Sequence, residues 1–142
     1  MALRVSTGAR NSILDSGLNT LFDGDGALAI FSGTIPANAD ADIGAGTLLA
    51  TLTLSADWLG AAAAGVATLA AIASDTAVDA TGTAAWFRLH DASEGPTGSS
   101  ATKRRIDGTV GTSGADLIFD TTAFVVGGAA AVSSFTLTLP AS

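Results

Sequence analysis

The chain has no cysteine and no tyrosine, and its 142 residues include one glutamate, one lysine and one histidine. Without cysteine there are no disulfides, no thiolate metal sites and no cysteine nucleophile. A lone histidine, with neither cysteine nor tyrosine beside it, leaves few groups for acid–base or nucleophilic work, so a non-enzymatic role is expected. Glutamate and lysine are good helix formers, and their scarcity argues against long solvent-exposed helices. Positive charge is also short: six Lys and Arg stand against thirteen Asp and Glu, for a net charge of −7. A general nucleic-acid binder neutralises phosphates with basic side chains, and this balance is the wrong one for that task. Residues 1–6 hold no apolar stretch of signal-peptide type. The uncharged run 58–74 is rich in Ala and Gly and falls short of the ~20 apolar residues of a spanning helix.

What the chain does have is aspartate, twelve of them, set in turns between short stretches of Val, Thr, Leu, Ile, Phe and Ala. Aspartate competes with the backbone for hydrogen bonds and favours caps and turns. The pattern is that of a mainly β, turn-dense domain. At this length one domain buries about two-thirds of its unfolded surface. The composition is 48% hydrophobic and only 13% charged, which predicts that association covers part of the surface.

One helix is expected, over residues 7–22, capped by Ser6 or Thr7, with Ile13, Leu14, Leu18, Leu21 and Phe22 on one side. Gly17 weakens it by about 1 kcal/mol relative to Ala. From residue 27 the period changes to that of strands: 27–32, 47–55, 83–90, 105–110, 116–120 and 132–139. In the clearest, Leu48, Ala50, Leu52 and Leu54 point one way, and Leu49, Thr51 and Thr53 the other. Residues 66–72 fit either a strand or an Ala-rich helix. The spacing predicts an antiparallel β-sandwich, jelly-roll-like, with a short N-terminal helix. Residues 1–26 form an N-terminal helical arm and 27–142 the sandwich body of a single domain. The Gly/Ser/Thr/Pro loop 91–102 is expected to be mobile, and 38–46 is a long connection.

Few residues suggest chemistry. Asp23 and Asp25 on a tight turn offer two carboxylates of the calcium-binding type, but the bidentate Glu of an EF-hand is replaced by Thr34; a helix-ending turn is the plainer reading. His90 and Asp91 are adjacent on a strand and so face opposite ways, which is poor geometry for a catalytic dyad. The glycine-rich runs 108–114 and 127–128 match no phosphate-binding fingerprint and read as hairpin turns. Lys103, Arg104 and Arg105 hold half of the positive charge. They read either as contacts to an acidic partner or as a solvated loop end. Trp58, Trp86, Phe87 and Phe135 are expected to anchor the core or a subunit interface. No cofactor or metal is implied.

The stretches MALRVSTG (1–8), LAIFSGTIPA (28–37), GTLLATLTLS (46–55), DATGTAAWFR (79–88), DGTVGTSGADL (107–117) and SSFTLTLP (133–140) carry a resemblance. Together they make the chain resemble small structural proteins of tailed-bacteriophage virions, of the capsid cement or decoration type. The resemblance implies a protein made in the host cytoplasm and carried on the capsid surface. Its partners would be the major capsid protein and further copies of itself, as a homotrimer, without nucleic acid or membrane. The N-terminal segment and residues 38–46 are candidate arms toward a neighbour. A tail, neck or fibre component, or a glycan-binding adhesin module, is the alternative.

Overall fold

A computed structural model describes residues 4–22, 26–70, 72 and 74–141. Asp23 and Asp25 lie outside the described residues, and with them the two-carboxylate turn. The fold is mainly β with one short N-terminal helix. Among the described residues nine strands form: β1 (Gly26–Phe31), β2 (Leu48–Thr53), β3 (Val66–Thr68), β4 (Gly82–Thr83), β5 (Trp86–Asp91), β6 (Arg105–Gly111), β7 (Leu117–Phe119), β8 (Ala123–Phe124) and β9 (Val132–Thr138). Seven make one sheet in the order β2-β1-β5-β6-β7-β9-β3, while β4 and β8 pair separately. Within the stretch 66–72, Val66–Thr68 form a short strand, not a helix. The stretch read as one strand from residue 83 divides into β4 and β5, each with a different partner.

The sheet curls over its own core. Phe87 of β5 and Phe135 of β9 are not neighbours in the strand order, yet their rings meet edge-to-face at 5.2 Å. The chain following β3 also returns to the end of β2 through the bridge Leu54↔Ile72. Curling encloses Leu28, Ile30, Leu52, Leu89, Leu117 and the rings of Phe22, Trp58, Phe87, Phe119, Phe124 and Phe135 in one cluster. Gly108 makes room for it. This glycine sits inside β6 opposite Phe87, not in a turn, and a Cβ there would lie 2.5 Å from the Phe87 ring.

One junction departs from the antiparallel expectation. β6 and β7 run parallel, joined by residues 112–116 alone. Parallel neighbours ordinarily need a crossover of a dozen or more residues. Here the pairing is only Val110↔Leu117 and Gly111↔Ile118, so the chain steps sideways by one strand. The Asp116 carboxylate fixes the step by accepting from the Thr109 N–H at 2.9 Å and its hydroxyl at 2.8 Å. Once displaced, β7 is free to pair with β9, which starts the turn over the core.

A second local departure is a bulge. β1 pairs Ile30 with Ala50 but Phe31 with Leu48, so Leu49 is the extra residue. The insertion sends Leu49 into the main core and Leu48 to the opposite face, where simple alternation would have placed them the other way round.

The helix begins at Ser6, whose hydroxyl accepts from the Ala9 N–H at 3.2 Å. It is α-helical over Thr7–Ser12, widens to a π-helix over Ile13–Leu18, and closes as α over Asn19–Leu21. The wider turn changes the phase of the apolar stripe. Leu14 and Phe22 are buried, whereas Ile13 and Leu21 are 45% and 36% exposed. The helix is docked along the body. Asn11, Asp15 and Asn19 accept from the backbone N–H groups of Gly65, Ala62 and Leu59. Arg10 donates to the carbonyl of Leu139 at 2.9 Å.

Both sheet edges are closed. Along β2, the Asp75 carboxylate accepts from the Thr51 N–H and the Leu49 carbonyl accepts from the Asp79 N–H. Along β3, Gly60 donates to the Thr68 carbonyl, and Ala63 and Val66 bond reciprocally. Strand addition by another chain finds few free groups at either edge.

Candidate functional site: an arginine clasp on the outer face of the sheet

β1 and β5 are buried along their whole length, on both faces. Residues 32–47 and 91–104 fold across the outer face and cover it. Cross-strand register builds that face in three rows: Phe31–Trp86–Thr109, Ala29–Arg88–Asp107 and Ala27–His90–Arg105. The alanines of β1 leave lateral room for the large side chains of β5. In the first row Phe31 and Trp86 stack at 4.4 Å, and the indole N–H donates to the Ser32 carbonyl at 3.3 Å. Ile43 and Leu48 complete this small outer cluster.

Arg88 is the centre of the face and is fully buried. Its Nε and Nη2 each donate at 2.7 Å to one oxygen of Asp107, forming a bidentate pair. Nη1 donates to the carbonyls of Ala41 at 3.0 Å and Pro96 at 2.9 Å. One guanidinium thus holds both covering segments to the sheet. Its carbon also lies 5.6 Å from the centre of the Trp86 ring.

Lys103, Arg104 and Arg105 extend the clasp. Arg105 donates to the carbonyls of Gly98 at 2.8 Å, Thr97 at 2.7 Å and Gly95 at 3.3 Å. Lys103 Nζ donates to the Thr97 carbonyl at 3.1 Å. Arg104 pairs with Asp91, donates to the Leu21 carbonyl at 3.1 Å, and reaches Glu94 at 4.0 Å. Asp42 joins the two covers by accepting from the Gly98 N–H, and Ser100 N–H donates to the Asp40 carbonyl. The loop expected to be mobile is therefore held at many points, and residues 38–46 lie against the body. These bonds use the head groups of the basic run within the chain itself.

The four aromatic anchors divide between the two sides of the sheet. Trp58, Phe87 and Phe135 belong to the main core, where Trp58 stacks on Phe135 at 6.0 Å and meets Phe22 edge-on at 6.3 Å. Trp86 belongs to the outer cluster.

His90 is 4% exposed. Its Nδ1 lies 2.8 Å from the Asp91 carbonyl oxygen, and Nε2 finds no partner among the described residues. The Asp91 carboxylate is taken by Ser93 and Arg104, so the two side chains form no dyad. Burial pushes the imidazole below its ordinary value; the hydrogen bond to the Asp91 carbonyl opposes it in part, and the Arg105 and Arg88 charges add to the lowering against a small upward effect of the Asp91 carboxylate. Asp91 is held below the usual carboxylate range by hydrogen bonds from Ser93, and Asp42 by the N–H groups of Gly98 and Ile43.

A pH dependence follows. The folded-state value of His90 lies below the unfolded 6.5, so the unfolded chain takes up the proton first. Above about pH 6.5 both states hold neutral imidazole and the residue contributes no slope; below it, stability falls until the folded form also protonates. Between pH 6.5 and about 5, above the range where Asp42 and Asp91 titrate, H90Q is expected to flatten the urea-unfolding free energy against pH. An unchanged slope in H90Q would refute this assignment.

Among the described residues no three His, Asp or Glu side chains gather as a metal-ligand set, and no helix is long and apolar enough to cross a membrane. Compared with protein-family models, with curated proteins and with solved structures, the chain finds no match. Fold and site together define a mainly β protein whose buried charges fasten loops to a curled sheet.

Proposed function

We propose that the chain is a non-enzymatic virion structural protein, a cement or decoration protein on the outside of a phage head. It clamps neighbouring major-capsid subunits and assembles as a homotrimer. The observation that carries this reading is the use of charge. Five of the six cations, Arg10, Arg88, Lys103, Arg104 and Arg105, hydrogen-bond to the chain's own oxygens. Such bonds stiffen loops into a fixed shape, which is what a clamp under mechanical load requires. With both sheet edges closed, association falls to side-chain surfaces. Exposed Ile13 and Leu21 on a docked helix, and Val125 and Val126 on a turn, are available for it. Individually weak contacts suffice when many copies act together on one shell.

The test is the number of copies per particle, counted by quantitative mass spectrometry against the major capsid protein. About one copy per capsid subunit is the expected result. A few to a few dozen would move the chain to the tail, neck or fibre. None would overturn the virion reading in favour of a binding module such as a glycan adhesin.

A further inference from the structure

Among the described residues the two most exposed large apolar side chains are adjacent: Val125 at 62% and Val126 at 60%. They follow Phe124, which is buried against Phe119 with ring centres 5.2 Å apart. The turn that carries them is fixed at every step. Val126 N–H donates to the Thr81 hydroxyl at 3.0 Å, and Gly127 N–H to the Val78 carbonyl at 2.8 Å. Val78 N–H donates back to the Gly128 carbonyl at 2.8 Å, and Asp75 and Ala130 exchange two backbone bonds. Gly127 supplies the positive φ of +78° that the turn requires. A cleft of about 200 Å³, lined by Phe119, Asp120, Phe124 and Ala130 among others, lies beside the turn. The two valines thus form a preorganised apolar knob, with little ordering entropy left to lose on docking.

Charge around the knob has one sign. The segments that build it, 74–83 and 119–131, carry Asp75, Asp79 and Asp120 and no Lys, Arg or His. None of the three forms an ion pair among the described residues. A second copy of this chain is poorly equipped to neutralise them, because five of its six cations are bound internally. We infer that the Val125–Val126 knob docks into an apolar pocket rimmed by Lys or Arg on a different protein. Desolvated valines supply the affinity, and the Asp residues steer the approach and fix the partner. On the reading proposed above, from which this inference takes its partner, that protein is the capsid shell subunit.

The experiment is retitration of purified heads stripped of this protein, at low and high salt, with wild type, V125S/V126S and D79N/D120N. V125S/V126S is expected to bind at least about tenfold more weakly, equivalent to ~1.4 kcal/mol, with an unchanged urea midpoint because both side chains are exposed. D79N/D120N is expected to bind more weakly at low salt and to lose most of the salt dependence. Wild type returning to the heads with V125S/V126S binding equally well overturns the knob and leaves the capsid reading standing. Tighter binding by D79N/D120N overturns the cationic rim. Wild type failing to return to the heads overturns the capsid reading, and the shell-subunit partner with it.

Discussion

Replacing Arg88 with alanine is expected to lower folding stability by about 3–5 kcal/mol, the range for breaking one side of a buried ion pair. Arg88 is fully buried and Asp107 nearly so, with side-chain exposures of 0% and 8%. Alanine leaves the Asp107 carboxylate desolvated and unpaired, and it frees the Ala41 and Pro96 carbonyls together. R88K is expected to recover little, because an ammonium cannot form the two-pronged pair with Asp107 while reaching both carbonyls. The double variant R88M/D107L removes both charges and is expected to be more stable than R88A alone, since no ion is then left buried without its partner. Urea unfolding followed by tryptophan fluorescence measures all three, and Trp86 beneath the guanidinium reports locally. An R88A loss under ~1 kcal/mol would place the pair with solvated surface pairs and refute the clasp.

The clasp also shows where sequence reading stops. β1 holds no polar side chain in Ala27, Leu28, Ala29, Ile30 and Phe31, and a run of that kind signals burial on both faces. It could have shown that the outer face is covered. In β5 the alternation of Trp86, Arg88 and His90 against Phe87 and Leu89 separates the faces correctly. Arg88 nevertheless looks like a solvent-facing residue, because nothing in the composition of residues 38–46 and 91–102 says that one carbonyl from each will converge on it. Backbone acceptors carry no residue signature. For the same reason Lys103, Arg104 and Arg105 read as free charge when their bonds run to oxygens six to ten positions away and beyond.

Local irregularities were equally hidden. Strands β1, β2, β5, β6, β7 and β9, the Ser6 cap and the apolar anchors follow from period and residue type. The bulge at Leu49 and the π-turn from Ile13 to Leu18 do not, since each changes phase by a fraction of a repeat within an otherwise regular stretch. The parallel step between β6 and β7 rests on the Thr109–Asp116 bonds, a pair seven residues apart with no pattern to mark it. The core was legible, and the devices that curl the sheet around it were not.

Phe135 tests that curl directly. Its ring stacks on Trp58 at 6.0 Å and meets Phe87 edge-to-face at 5.2 Å. Phe135→Ala is expected to cost about 3–5 kcal/mol, combining lost transfer free energy with the cavity left behind. Phe135→Leu should cost less, because much of the volume is kept. The coupling is more informative than either loss. Phe87 and Phe135 lie on strands separated by β6 and β7 in the sheet order, so in a flat sheet they would not touch. Changes at the two positions would then add. Across a closed core they share one contact, and a double-mutant cycle of F87L and F135L should return a coupling of about 0.5–1.5 kcal/mol. Additivity within about 0.3 kcal/mol, the range for independent sites, would mean that the sheet does not fold over on itself and that the outer clasp covers an open face. A measured coupling ties the two halves together, and it would make the Arg88 clasp the outer fastening of a sheet already closed from within.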